Sequence, residues 1–137
     1  MKIVLDTNCL LPAIFEDSPH YWIWEAFENG EFTLCCSTEI LEEYGELLAR
    51  FYSVEISESV INTITNAHNF SPTTPYYKWN LIAADPDDNK FVDCALNGGA
   101  DYIVTNDKHF NILKDMDFPY IKVVDSEVFK KILLGEA

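Results

Sequence analysis

Two short apolar runs constrain the fold most. Ile3-Val4-Leu5, after Lys2, and Ile103-Val104, between Tyr102 and Thr105, are too brief for an ordinary helix and rich in β-branched residues. Strands with no polar alternation are buried on both faces, the condition of a parallel sheet covered by helices. Each run leads to an aspartate, Asp6 directly and Asp107 after Thr105-Asn106. Phe32 to Cys36 and Ile121 to Val124 read as two further short strands.

The intervening segments read as helices. An aromatic-rich helix is expected from His20 to Glu28, stopped by Asn29-Gly30. Ser37 or Thr38 caps a helix to about Phe51, in which Ile40, Leu41, Tyr44, Leu47, Leu48 and Phe51 recur with helical period. Ser57 is expected to open the next, through Val60, Ile61, Ile64 and Ala67. Residues 69–84 read as a loop with some extended structure near its end. Asp85-Pro86-Asp87-Asp88 is a strong helix start, and Gly98-Gly99 a stop. Short helices near 108–114 and from Ser126 to Leu134 complete the chain. Strands alternating with helices predict a three-layer α/β/α sandwich with a mostly parallel central sheet. A single domain over residues 1–137 suits that length, and an apolar fraction of 48% supplies a core without disulfides.

Cys9, Cys35, Cys36 and Cys94 lack metal-type spacing, and the adjacent pair is poorly placed to bridge, so reduced structural thiols are expected. Asp6 interrupts the N-terminal apolar run too early for a signal peptide, and no stretch approaches the roughly 18 apolar residues of a membrane span. A soluble, cytoplasmic protein without a membrane partner is expected. The net charge of −14, from 23 acids against nine bases, opposes an extensive nucleic-acid surface. It favours a basic partner protein, or a substrate gripped at one small site.

Ligands of open parallel sheets bind beyond the carboxyl ends of the strands, and both Asp6 and Asp107 follow their strands. Helical geometry selects a third acid. Phe91, Val92, Ala95 and Leu96 define one face of the segment after Asp85; Asp88 lies near its middle, and Asp93 about 140° away. In the 38–51 helix, Glu43 lies about 100° from the centre of the apolar stripe, closer than Glu39, Glu42 or Glu46. Converging carboxylates repel one another and call for a cation, and an all-oxygen set suits Mg²⁺ or Mn²⁺. That chemistry points to metal-assisted phosphoryl transfer, with Thr7, Asn8, Thr105 and Asn106 as neighbours able to orient the carboxylates or a phosphate.

These residues match a known pattern. Leu5-Asp6-Thr7-Asn8, Ser37-Thr38-Glu39-Ile40-Leu41-Glu42-Glu43-Tyr44, Asp85-Pro86-Asp87-Asp88-Asn89-Lys90-Phe91 through Ala95-Leu96, and Ala100 to Asp107 resemble, in order and spacing, the four motifs of PIN-domain proteins. Within that family the chain is most similar to VapC-type toxins of bacterial toxin–antitoxin pairs. The resemblance implies a Mg²⁺- or Mn²⁺-dependent ribonuclease with an acidic quartet of Asp6, Glu43, Asp88 and Asp107, an RNA substrate, a cognate antitoxin of basic character and a homodimer. One departure is Asn106, where the pattern more often has glycine; asparagine also accepts a left-handed turn.

The mechanism expected is phosphodiester hydrolysis, with one ion on Asp6, Asp88 and Asp107 and a weaker second on Glu43 and Asp6. His20, His68 and His109 show no ligand spacing, though His109 and Lys108 fall near the site and could touch substrate. The competing reading is a catalytically silent module that binds a partner protein, supported by the charge and by the aromatic cluster Tyr21-Trp22-Ile23-Trp24 with Phe27; core packing of that helix explains the cluster better. A phosphate-accepting receiver domain fits less well, because no central strand ends in a mid-chain aspartate and no late strand in a lysine.

Overall fold

The computed structural model describes residues 1–83 and 85–136. Ala84, the last residue of the expected loop, and Ala137, the last of the expected domain, lie outside the described residues. In chain order the elements are β1 (Lys2–Leu5), α1 (Thr7–Leu10), α2 (Tyr21–Glu28), β2 (Thr33–Cys36), α3 (Thr38–Phe51), α4 (Val54–Asn66), β3 (Phe70–Pro72), α5 (Asn89–Gly98), β4 (Tyr102–Val104), β5 (Lys122–Val124) and α6 (Ser126–Leu133). Single 3₁₀ segments follow α1 (Leu11–Ala13), precede α5 (Pro86–Asp88) and follow β4 (Lys108–Asp115).

All five strands pair in parallel, in the order β3-β2-β1-β4-β5. The expected α/β/α sandwich is thus present, and its sheet is parallel throughout. Ile3, Val4, Leu5, Leu34, Cys35, Cys36, Ile103 and Val104 are all buried, so both faces are covered, as unalternating strands require. The chain winds outward from β1 to β3, then returns to lay β4 on the other side of β1. This reversal opens a crevice beyond the carboxyl ends of β1 and β4. Helix α5 packs on β1, β2 and β4. Gly98 permits the close approach: a Cβ there would stand 2.5 Å from Cys35 Sγ.

The structure departs from expectation at four places. Helix α4 starts at Val54, because Ser53 is the cap: its hydroxyl accepts from Ile56 N–H at 3.1 Å. Ser57 is instead a buried contact to α3, donating to Gly45 C=O at 2.7 Å. The strand of the 69–84 segment lies at its start, as β3, where Asn69 anchors it by donating to Phe27 and Phe32 C=O at 2.8 Å each. The later part joins no strand, and Asn80 within it has a positive φ of 51°. A polar row of α5 holds it: Asn97 pairs with the backbone of Tyr77, Asp93 accepts from Trp79 N–H at 2.9 Å, and Asn89 accepts from Ile82 N–H at 2.8 Å and donates to Ile82 C=O at 3.0 Å. Residues 77–82 therefore form a strap along α5 that delivers Asp85 to the crevice. Finally, Thr7–Leu10 is a short helix that the sequence did not announce.

The cysteines are free and buried, as expected, with Cys35 Sγ 3.7 Å from Cys94 Sγ. Among the described residues no helix is long and apolar enough to cross a membrane.

The strap predicts a contrast. Asn89→Ala strands the buried N–H and C=O of Ile82 and should cost about 2–3 kcal/mol, whereas Asn97→Ala, whose bonds to Tyr77 are exposed, should cost about 1 kcal/mol or less. Chemical denaturation of the two variants measures the difference; equal losses would contradict it.

Candidate active site

Asp6 is the residue after β1 and the cap of α1, with 4% of its surface exposed. Its N–H donates to Val104 C=O at 3.0 Å, which locks the end of β1 to β4. One carboxylate oxygen, Oδ2, accepts from the buried Thr105 hydroxyl at 2.8 Å. The same hydroxyl oxygen accepts from Asp107 N–H at 3.0 Å. Thr105 thus links the two strand-end acids. The carboxylate of Asp107 caps the 3₁₀ segment behind it, accepting from His109 N–H at 2.9 Å.

Asp88 comes from the third side, at the join between the 3₁₀ segment and α5, and is 9% exposed. Its Oδ2 has no hydrogen-bond partner among the described residues, although buried. Burial pushes the Asp88 carboxyl up to about 6, helped by the charges of Asp85, Asp107 and Asp6 and opposed by His109. Burial likewise raises Asp6; Thr105 and the Asn8 N–H lower it, and Asp107 and Glu43 raise it. Asp107 thus raises both carboxyls, Asp6 raises that of Asp88, and Glu43 raises that of Asp6.

Glu43 reaches this group from α3. It is half-buried, whereas Glu39, Glu42 and Glu46 are exposed, in keeping with its angle to the apolar stripe. The next residue, Tyr44, is fully buried and donates its hydroxyl to Leu5 C=O at 2.5 Å, tying α3 to the end of β1. The Glu43 carboxylate accepts from the Thr7 hydroxyl and pairs with Lys90 Nζ at 2.8 Å. Lys90 also donates to Asp87 C=O at 2.9 Å. Among the described residues, Lys90 supplies the one ammonium in ion-pair contact with these acids. Sequence reading missed it: a lysine two positions after Asp88 looks like any solvated helix residue, and only the approach of α3 to α5 makes the pair.

The other expected residues divide. Thr7 and Thr105 are buried against the acids. Asn8 is exposed and contributes its backbone N–H to Asp6 Oδ1 at 3.5 Å. Asn106 faces away. Its carboxamide oxygen accepts from Ser126 N–H at 3.1 Å at the start of α6. It does not adopt the left-handed backbone expected at this position; among the described non-glycine residues only Asn80 has positive φ, 51°. Asp93 holds the strap, and Lys108 is exposed. The aromatic cluster is packing: Ile23, Trp24 and Phe27 are buried, and Trp22 leans on Phe129 with centroids 6.0 Å apart. Asp85 and His109 stand nearer the centre than their sequence context suggests. The donor atoms of Asp85, Asp88 and His109 lie within 4.8 Å of one another, and this set overlaps the expected ligands only at Asp88. Asp85 reads locally as a cap, and does accept from Asp87 N–H at 3.2 Å, so its second position is invisible to the sequence.

The donor set fits a hard or borderline divalent ion: several carboxylates, one imidazole, no thiolate, and a buried oxygen left without a hydrogen. In the absence of metal, Asp88 ionises less readily folded than unfolded. Its contribution to stability is therefore intact below 3.8 and is lost as pH rises from 3.8 through about 6. Asp88→Asn should raise the melting temperature of metal-free protein at pH 7 and leave it nearly unchanged well below 3.8. Thermal melts across that range check this; an equal shift at both ends would contradict it.

Comparisons place this arrangement among known proteins. A family model described as PIN domain matches residues 2–109. No curated protein matches the sequence. Among solved structures, one similar chain belongs to VapBC2 from Rickettsia felis bound to a DNA fragment from their promoter; it has 18% identity and a TM-score of 0.63, over 91% of this chain and 98% of that one. At that identity the likeness speaks to the fold, which agrees with the five-stranded parallel sheet. The family model spans all four acids and most of the chain, and the protein therefore belongs to the PIN domain family.

Proposed function

We propose that this chain is a divalent-metal-dependent endoribonuclease, the toxin of a toxin–antitoxin pair, acting as a single domain over residues 1–137. The observation that carries the reading is the buried, unpartnered Oδ2 of Asp88 among acids whose charges raise the Asp88 and Asp6 carboxyls. Asp6, Asp88 and Asp107 would hold Mg²⁺ or Mn²⁺, with Glu43 completing the acidic quartet. When bound, such an ion activates water and neutralises charge developing on the phosphate.

The protein's own groups do the rest. Thr105 fixes the orientation of Asp6 and, through Asp107 N–H, of the turn that carries Asp107. Lys90 and Thr7 hold Glu43 in place, so Lys90 already neutralises the corner where a weaker second ion would sit. Lys108, exposed and next in sequence to Asp107, would meet a substrate phosphate. The reaction is hydrolysis: water adds at phosphorus and one ester P–O bond breaks. No side-chain nucleophile is invoked, and all four thiols are buried.

Partner binding fits the same protein. A net charge of −14 complements an antitoxin of basic character. Exposed apolar residues gather at the α3–α4 corner: Phe51 and Val54, with Phe15 packed edge-on against Tyr52 at 4.8 Å. The similar fold in VapBC2, solved bound to a DNA fragment from their promoter, is in keeping with a partner protein. Homodimerisation and a cytoplasmic location belong to this reading, the latter in keeping with four free cysteines. If the pocket is instead silent, a basic partner will bind while RNA stays intact.

Asp6→Asn keeps an oxygen for the Thr105 hydroxyl and a capping side chain for α1, so it should fold normally. It should lower Mn²⁺-dependent cleavage of structured RNA more than about 100-fold, and Thr105→Val, which only loosens Asp6, about 10–100-fold. Undiminished cleavage by Asp6→Asn would rule out the assignment.

A further inference from the structure

His109 is the one imidazole in the crevice, and its position is built. The His109 backbone N–H donates to Asp107 Oδ1 at 2.9 Å, and the turn begins where Asp107 N–H donates to the Thr105 hydroxyl. The ring nitrogen Nδ1 then stands 3.4 Å from Asp107 Oδ1 and 3.6 Å from Asp88 Oδ2. Both separations exceed the 2.7–3.2 Å of a good N–H···O bond, and Asp88 Oδ2 remains unpartnered. From the other side the strap brings in Asp85, whose donor atom lies within 4.8 Å of those of Asp88 and His109. Oxygen and nitrogen donors on one small divalent ion, at about 2.1 Å each, stand about 3–4 Å apart. The contacts of His109 have that spacing, which suits ligands to a common ion better than partners in a hydrogen bond.

Resting on the reading of this crevice as a divalent-metal site, we propose that His109 is a nitrogen ligand to the ion, beside Asp88 and Asp107 and with Asp85 in reach, and that the site takes a first-row transition dication in preference to Mg²⁺. The chemistry follows from the donor. Mg²⁺ favours carboxylate, carbonyl and water, and gains little from imidazole, whereas first-row transition ions bind it well. Asp6 and Asp107 supply the negative charge that any dication shares, and His109 supplies the discrimination. Sequence spacing does not reveal this, because the imidazole belongs to the turn after β4 and the carboxylates to the segment before α5.

The probe is Mn²⁺, added below one equivalent to the full-length protein, with electron spin echo envelope modulation to detect ¹⁴N on the ion. The unaltered protein should show nitrogen modulation, and ¹⁵N-histidine labelling should change its frequencies, which tests the ligand without any substitution. His109→Gln, a change at an exposed position, should still bind Mn²⁺ but on the order of tenfold more weakly, without the nitrogen signal and with less preference for Mn²⁺ over Mg²⁺. His68→Gln, also exposed, should keep the signal. Mn²⁺ bound with no nitrogen modulation, or modulation that survives in His109→Gln, would overturn the assignment of His109 and leave the carboxylate site standing. Failure of the unaltered protein to bind Mn²⁺ at all would overturn both.

Discussion

Parallel pairing of β1 with β4 is the constraint on which the rest depends. It places Asp6 and Asp107 on one rim of the sheet, and a hydroxyl from Thr105 ties them at fixed separation. Once two acids share that rim, α5 can start there only by bringing Asp88 with it, since the 3₁₀ turn and Pro86 set where the helix begins. Burial then holds the Asp6 and Asp88 carboxyls where their ionisation is costly. Function enters as the relief of that cost: a doubly charged ion turns an unfavourable cluster into a binding site, and the fold preserves the cluster in its absence.

Helix α5 serves two ends at once. Its N-terminal end brings Asp88, the residue before it, to the crevice and Lys90, in its first turn, to Glu43. Its polar row of Asn89, Asp93 and Asn97 holds the strap that returns the chain to Asp85. The strap carries backbone groups that would otherwise be left unpaired beside the core, and side chains four residues apart satisfy them one after another. A strand would have done this through a ladder; here a helix does it with amides and a carboxylate.

The sheet and most helices were legible because their signals are local. Ile3-Val4-Leu5 and Ile103-Val104 admit little besides buried parallel strands, and the Ile40, Tyr44, Leu48 series admits little besides a helix on a core. Helical angle also distinguished Glu43 from its three acidic neighbours, and the structure gives it a setting different from theirs. What escaped was decided by contacts between elements. Ser53 and Ser57 are equivalent as caps until α3 claims Ser57. Asp93 reads as a solvated helix acid until Trp79 N–H arrives. Lys90, Asp85 and His109 join the acids through tertiary approach, and no spacing rule within one segment encodes that.

The central claim is that these acids are gathered to hold a divalent ion, and anomalous diffraction from crystals equilibrated with Mn²⁺ tests it most directly. The account predicts a strong peak in the crevice within bonding distance of Asp88, with Asp6 and Asp107 around it. A crevice without a peak, or Mn²⁺ found only at the exposed glutamates of α3, would contradict it.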